Sequence, residues 1–148
     1  MSRDFKVAGV FSAMEVAASG LTAERGRMNI IASNLANAQT TKGADGKPYH
    51  RLDPVFQSQS VSPDSFDPIL RSVNEVKLSG VRQDTTPGQM VYDPGHPDAN
   101  AQGYVEYPNV NVVTEMVNLM TASRAYEAGV TSIESLKSMA KTAIKIGG

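Results

Sequence analysis

The chain contains no cysteine and no tryptophan, and aromatic residues make up only 6% of its 148 residues. Without cysteine it forms no disulfide, no thiolate metal site and no thiol nucleophile. With so few aromatic side chains, we expect an aliphatic core to which its seven methionines contribute.

Strong net charge and long apolar runs are also missing. Fourteen Lys and Arg residues face fifteen Asp and Glu residues, which gives a formal net charge of −1 and a pI near 6.1. Such a balance offers no basic field to hold nucleic acid or an anionic membrane surface. No apolar run approaches the roughly 20 residues that span a bilayer. We therefore expect neither nucleic-acid binding nor a membrane-spanning helix.

The N-terminus has a weak likeness to a secretory signal. Arg3 and Lys6 precede the apolar run from Val7 to Met14, but Glu15 ends that run and an amphipathic pattern continues beyond it. We interpret the segment as the start of a helix. If the protein leaves the cytoplasm, we expect export without a cleaved signal peptide.

Catalytic and metal-binding patterns are scarce. His50 and His96 are the only histidines, and the segment around His96 offers too few ligands for a metal or acid–base site, so a solvated turn is favoured. The stretch from Gly43 to Lys47 lacks phosphate-loop spacing and leads into Pro48, which also indicates a turn. The sequence predicts no enzyme, no cofactor, no metal and no small-molecule substrate.

The last third of the chain, from Val110 to Ile146, carries a heptad pattern over more than four heptads. Its seam positions alternate in steps of four and three: Val112, Met116, Leu119, Ser123, Tyr126, Val130, Ile133, Lys137, Ala140 and Ile144. This spacing predicts one continuous helix roughly 50 Å long. Such a helix is hard to bury within so small a domain.

The first part of the chain, from Phe5 to Asn37, predicts a second long helix with the same spacing. Its seam positions are Met14, Ala18, Leu21, Arg25, Met28, Ala32 and Leu35. Asn34, Asn37 and Gln39 form a polar run typical of a helix end. The two asparagines are either hydrogen-bonding residues at the junction with the next segment or simple caps, and the sequence leaves both open.

The middle of the chain, residues 38–109, is broken by glycine and proline every few residues. Its short β-rich stretches are Tyr49 to Gln59, Ile69 to Val81, Gln89 to Tyr92 and Tyr104 to Tyr107, with a mobile loop expected from Ser58 to Pro68. The predicted fold is therefore mainly α. It has long N- and C-terminal helices (residues 1–37 and 110–148) and a small irregular β-rich insert at 38–109.

The sequence leaves open what the seams of the two predicted helices pack against. The helices could pack within one monomer as a helical hairpin, or they could pack between molecules, and periodicity alone cannot separate the two. The length of the helices beside so small an insert favours assembly. The candidate assembly residues are Met14, Leu21, Met28, Leu35, Asn34, Asn37, Met116, Leu119, Tyr126, Val130 and Ile133.

Five motifs, in order along the chain, resemble those of the flagellar rod and hook axial proteins. The first is the Asn-(apolar)-Ala-Asn core with its following threonine, in Ser33 to Thr40 at the end of the first helix. The others resemble a proximal rod member of that family: Gly46-Lys47-Pro48-Tyr49-His50-Arg51, Tyr92-Asp93-Pro94-Gly95-His96-Pro97-Asp98-Ala99, Gly103-Tyr104-Val105 with Pro108 to Val113, and Glu115-Met116-Val117-Asn118 with Ala122-Ser123-Arg124-Ala125-Tyr126. The resemblance covers nearly the whole chain, with a looser stretch from about Gln57 to Pro87.

The resemblance implies a structural subunit of the flagellar proximal rod, a tube that crosses the periplasm. In that family the two terminal helices pair as a coiled coil, so the resemblance implies this pairing here. Family members polymerise helically through these helices, with copies of themselves and other rod proteins as partners. They are exported by the flagellar type III apparatus without a cleaved signal. Another rod or hook axial protein is the nearest alternative, and a small soluble binding domain or enzyme built on a helical hairpin is the alternative from a different class.

Overall fold

The computed structural model describes residues 2–61 and 73–147, and the side chains of residues 12–61 and 73–145. In this described part, two long helices lie at the two ends of the sequence, with four strands between them. They are α1 (Ser2–Ala36), β1 (Leu52–Ser60), β2 (Asn74–Gln83), β3 (Gln89–Tyr92), β4 (Tyr104–Tyr107) and α2 (Val112–Gly147). No helix in this described part is long and apolar enough to cross a membrane.

The four strands form two separate two-stranded sheets, in which β1 pairs with β2 and β3 pairs with β4. The second pair is antiparallel, in a register that sets Gln89 opposite Tyr107 and Tyr92 opposite Tyr104. Gly103 turns the chain into β4 with a φ of 80°, in the left-handed region that glycine adopts without strain.

The prediction of a mainly α fold with coiled-coil termini is wrong. The described residues form two helices and four strands in two small sheets, so the fold has substantial α and β structure. The predicted seams coincide only in part with the faces that are buried. On α1 the buried residues are Ala23, Ile30, Ile31 and Asn34, whereas the seam residues Ala18, Arg25 and Ala32 are exposed.

On α2 the predicted seam departs from the buried face at Met116 and Ile144, whereas its middle positions Leu119, Tyr126, Val130 and Ile133 are half-buried. Glu115 and Ala122 are buried, whereas Met116 and Ile144 are exposed. The heptad spacing predicted the helix correctly. Periodicity does not determine, however, which face of a helix other segments of the chain cover. Here polar side chains from elsewhere in the chain turn Glu115 inward, and the adjacent Met116 is thereby turned out.

The positions of the helices and strands were predicted with mixed success. The predicted helices at both ends are present, and β3 and β4 have the predicted bounds. The first β-rich stretch yields β1. The second, predicted from Ile69 to Val81, lies outside the described residues up to residue 72, and from Asn74 it belongs to β2, which ends at Gln83. The predicted loop from Ser58 to Pro68 falls partly outside the described residues, and its first three residues belong to β1.

Contacts group the chain into two compact units. Unit 1 comprises Met1–Gly26, Phe56–Ser79 and Ala122–Gly148, and unit 2 comprises Arg27–Val55 and Gly80–Thr121. The predicted division at residues 37/38 and 109/110 stays a prediction. Among the described side chains, the buried apolar ones are few: Ala23 and Ala122 in unit 1, and Ile30, Ile31, Val105 and Pro108 in unit 2.

Within unit 1, the two helices approach each other at Gly129. A Cβ atom built on Gly129 would lie 2.7 Å from Cδ2 of Leu21, so the absence of a side chain permits this close packing. Ser19 of α1 accepts a hydrogen bond from the backbone N–H of Val76 at 3.1 Å, which ties β2 to the same helix. A close apolar contact between the helices and a hydrogen bond to β2 thus both contribute to unit 1.

Within unit 2, Gly88 lies directly against the backbone of β4. A Cβ atom at this position would come within 1.9 Å of the carbonyl oxygen of Tyr107, and a backbone atom paired in a sheet cannot easily move away. We therefore expect Gly88→Ala to lower the free energy of unfolding by about 2 kcal/mol or more, as overpacking does. Urea-induced unfolding measures the effect.

Gly20→Ala is the matched control, because nothing lies within 4 Å of the Cβ atom that it adds in the interior of α1. That variant should gain up to about 1 kcal/mol from helix propensity. Equal stabilities of Gly88→Ala and the unmodified chain would contradict the close approach at Tyr107.

Candidate functional site

Unit 2 contains a cluster of polar side chains, which we call the polar cluster: Asn34, Tyr49, Arg51, Asn109 and Glu115. It joins the end of α1, the segment before β1 and the start of α2. Asn34 and Glu115 are each only 1% exposed. Buried polar groups of this kind are stable only when they are hydrogen-bonded, and here they are.

The side-chain amide of Asn34 binds the backbone of Leu52, at the start of β1, with the two hydrogen bonds that a neighbouring strand would form. Its Oδ1 accepts the backbone N–H of Leu52 at 2.9 Å, and its Nδ2 donates to the carbonyl oxygen of the same residue at 2.9 Å. Oδ1 also accepts the hydroxyl of Tyr49 at 2.9 Å, and Nδ2 also donates to Oε2 of Glu115 at 3.0 Å. These four bonds use the hydrogen-bonding capacity of the amide, so another side chain would leave buried groups unpaired.

Glu115 brings a buried negative charge into the cluster. Its Oε1 accepts a hydrogen bond from Nε of Arg51 at 2.8 Å and from Nδ2 of Asn118 at 3.4 Å. Arg51 also forms an ion pair with Asp53, with Nη1 and Oδ1 2.6 Å apart. The hydrogen bond to Glu115 raises the pKa of Arg51, so the guanidinium stays charged at every physiological pH.

Asn109 connects the cluster to the turn after β2. Its Oδ1 accepts the backbone N–H of Arg51 at 2.8 Å, and its Nδ2 donates to the carbonyl oxygens of Asp84 and Thr86. Hydrogen bonds from the hydroxyl and the backbone N–H of Thr86 lower the pKa of Asp84. The stabilisation from that carboxylate is therefore present above the ordinary aspartate pKa and is lost as the pH falls through the lowered value.

The structure places the two predicted asparagines differently. Asn34 binds the insert and α2, whereas Asn37 serves as a local cap. Nδ2 of Asn37 donates to the carbonyl oxygen of Ser33 at 2.9 Å, and its Oδ1 accepts the hydroxyl of Thr40. Of the two interpretations that the sequence left open, the junction applies to Asn34 and the cap to Asn37.

The predicted assembly residues are spread along both helices. All of those on α1 other than the asparagines are half-buried: Met14, Leu21, Met28 and Leu35. On α2, Met116 is exposed, and the half-buried ones are Leu119, Tyr126, Val130 and Ile133. The described contacts bring Leu21 against Gly129 and Asn34 against Glu115. A role for the set in assembly stays a prediction.

Sequence reasoning missed most of the polar cluster. Tyr49, Arg51, Asn109 and Glu115 were not singled out as site residues. Each of them nevertheless lies within one of the motifs that carried the family resemblance, and so does Asn34. The motifs themselves were therefore the signal that could have identified these residues, because four separate motifs each contribute at least one side chain to the polar cluster.

The segment around His96 forms turns, as predicted. Nδ1 of His96 accepts the backbone N–H of Asp98 at 3.1 Å, and the carboxylate of Asp98 accepts the hydroxyl of Thr41 at 2.8 Å. In the described part of the chain, no group of three or more His, Asp or Glu side chains is placed to hold a metal ion. These side chains serve to fix the loop.

The comparisons with known proteins agree on one family. The model described as "Flagella basal body rod protein" matches residues 14–44, and "Flagellar basal body rod FlgEFG protein C-terminal" matches residues 101–146. The flagellar basal-body rod protein FlgC of Borreliella burgdorferi is 40% identical, over 93% of this chain and 97% of the relative. FlgC of Bacillus subtilis (strain 168) is 43% identical over the same shares.

FlgC of Escherichia coli O157:H7 is 43% identical, over 90% of this chain and 94% of the relative. These matches span both helices and the insert. Their sequence identity, over so much of the chain, is high enough to establish family membership. The chain belongs to the FlgC family of flagellar basal-body rod proteins.

Proposed function

We propose that this chain is a structural subunit of the bacterial flagellar rod. The observation that carries the proposal is the identity of about 40% with FlgC proteins over more than nine-tenths of the chain. Both matched family models, which cover parts of the two helices, are also described as flagellar basal-body rod proteins. We propose the basal body as its location.

The exposed side chains support a subunit that needs neighbours. Fifteen large apolar side chains in the described part are more than a third exposed, whereas the buried apolar residues there are only the six named above. Exposed apolar patches on a soluble protein commonly mark interaction surfaces. Assembly would remove much of this surface from water, which is favourable by about 25 cal/mol per Å².

The finer parts of the proposal concern assembly and location. The chain polymerises helically through α1 and α2, with copies of itself and other rod proteins as partners. It lies in the proximal part of the periplasm-spanning rod, and the flagellar type III apparatus exports it without a cleaved signal. It is not an enzyme, and it uses neither a cofactor, a small-molecule substrate nor nucleic acid.

Deletion of the coding sequence tests the proposed function. A rod subunit is required before hook and filament can be built outside the cell, so we expect the deleted cells to lack both structures and to stop swimming. A plasmid copy of the chain should restore swimming and separates this effect from effects on neighbouring genes. Complete basal bodies and normal swimming in the deleted cells would refute the proposal.

A further inference from the structure

The first turns of α2 in unit 2, residues 112–121, bury a charged side chain and expose apolar ones. Glu115 is 1% exposed. Five large apolar side chains of the same turns are between 44% and 72% exposed: Val112, Val113, Met116, Val117 and Met120. A helix of a globular protein normally covers its apolar residues and turns its charged residues to water. Burial of apolar surface alone therefore does not explain how these turns are rotated about the helix axis.

The sequence offers a second rotation of the same turns. Val112, Met116 and Leu119 follow the steps of four and three that predicted a seam. Turning the helix by the angle between two successive residues, about 100°, would bring Met116 inward in place of Glu115. That rotation would remove more apolar surface from water, which is favourable.

Hydrogen bonds hold the observed rotation. Nε of Arg51 donates to Oε1 of Glu115 at 2.8 Å, and Nδ2 of Asn34 donates to Oε2 at 3.0 Å. Both donors are fixed by other bonds, because the amide of Asn34 binds the backbone of Leu52 and Arg51 pairs with Asp53. Neither donor can therefore follow Glu115 if α2 turns. Hydrogen bonds depend on direction and apolar burial does not, so the polar contacts distinguish the two rotations.

We propose that the polar cluster is a conformational latch, which holds residues 112–121 with Glu115 inward and keeps the large apolar side chains of these turns in water. A buried ion pair adds little net stability compared with an apolar pair of similar size, and its best-attested use in proteins is to select one arrangement among several. The use of this latch in the cell rests on the proposed function, because a subunit that assembles needs apolar side chains that stay exposed until neighbours arrive.

Glu115→Ala opens the latch and leaves no buried charge without a partner, because Arg51 keeps its ion pair with Asp53 at 2.6 Å. The smaller side chain also leaves space that Met116 can fill, so α2 should turn toward the second rotation. This result is opposite in sign to a simple loss of stability. A chain that is merely less stable exposes its methionines more often, whereas a turned helix covers Met116.

Methionine oxidation distinguishes the two results, since exposed methionines are oxidised faster than covered ones. The purified full chain is treated with dilute hydrogen peroxide, and mass spectrometry follows each methionine. In Glu115→Ala we expect Met116 and Met120, which share a face, to be oxidised more slowly by about twofold or more. Met90, in the same unit and 52% exposed, is the internal reference and should keep its rate.

Glu127→Ala is the matched control, because it makes the same substitution at an exposed position farther along α2. It should leave the oxidation of Met116 unchanged. Arg51→Leu with Glu115→Ala removes both members of the ion pair and repeats the test independently. Unchanged oxidation of Met116 in both Glu115 variants, or faster oxidation of all the methionines, would overturn the latch.

Swimming tests the use of the latch. In cells lacking the native gene, Glu115→Ala should fail to restore swimming, whereas Glu127→Ala should restore it. Slower oxidation of Met116 together with normal swimming would overturn the use of the latch in assembly. Failure of the unmodified chain to restore swimming would refute the rod function, and the latch would stand, because oxidation is measured on the purified protein.

Discussion

Replacing Arg51 by leucine is expected to lower the free energy of unfolding of unit 2 by about 3 kcal/mol. The substitution leaves the carboxylate of Glu115, which is 1% exposed, without its cationic partner. Removing one member of a buried ion pair typically costs about 3–5 kcal/mol, because the remaining charge stays buried. The lower end applies here, since the side chain of Arg51 is itself 27% exposed and Asn34 still donates to Glu115.

Urea-induced unfolding measures this loss, and hydrogen exchange locates it. Exchange should become faster in residues 27–37 and 110–121, where the helices meet the polar cluster. Arg82→Leu is the matched control, because Arg82 is 74% exposed and lies 3.9 Å from Asp53 in an ion pair that should contribute little. Equal stabilities of the two variants would show that the Arg51–Glu115 pair does not hold unit 2 together.

A double substitution distinguishes two contributions to the destabilisation: the loss of the Arg51–Glu115 ion pair, and the cost of burying the carboxylate of Glu115 without its partner. Arg51→Leu with Glu115→Leu removes both charges, so the double variant should be more stable than Arg51→Leu alone. A double variant less stable than Arg51→Leu would mean that Glu115 stabilises unit 2 through its bonds to Asn34 and Asn118 rather than through the ion pair.

Ile133→Asp is expected to abolish swimming. Ile133 lies half-buried on α2 in unit 1, and a charge there opposes the burial of an apolar side chain, which is worth about 1.5–3 kcal/mol. In an assembly every copy carries the same substitution, so the cost recurs at each contact. Leu35→Asp is the corresponding change in unit 2 and should have the same result. Swimming radius and the number of basal bodies per cell are the measurements.

Ser135→Asp is the control for Ile133→Asp. It adds the same charge two residues away on the same helix, at an exposed position whose hydroxyl bonds to the carbonyl oxygen of Thr131. Cells with this variant should swim. If Ile133→Asp and Leu35→Asp also swim normally, the predicted assembly residues on the two helices are not an interface.

Local features of the sequence were sufficient to predict the helices and two of the strands. The steps of four and three in Val112 to Ile144 occur within one segment, and glycine and proline bound the strands Gln89–Tyr92 and Tyr104–Tyr107. These signals act between residues close in the chain, where backbone geometry follows from side-chain spacing. The bounds of these elements therefore required no knowledge of the tertiary contacts.

The buried faces could not be predicted in the same way. The bond between Asn34 and Glu115 joins residues 81 positions apart. By composition, Met116 belongs in a core and Glu115 on a surface, because charged side chains are almost never fully buried without a partner. The partner is Arg51, from a third segment. One residue along a helix is a rotation of about 100°, and that rotation separates the exposed Met116 of the predicted seam from the buried Glu115.

The most direct test of a rod function is the protein composition of purified basal bodies. We expect quantitative mass spectrometry to find this chain in a fixed proportion to the other rod proteins, and extensive washing should not remove it. A chain absent from complete basal bodies, and recovered instead as a monomer whose size does not change with concentration, would refute a rod function.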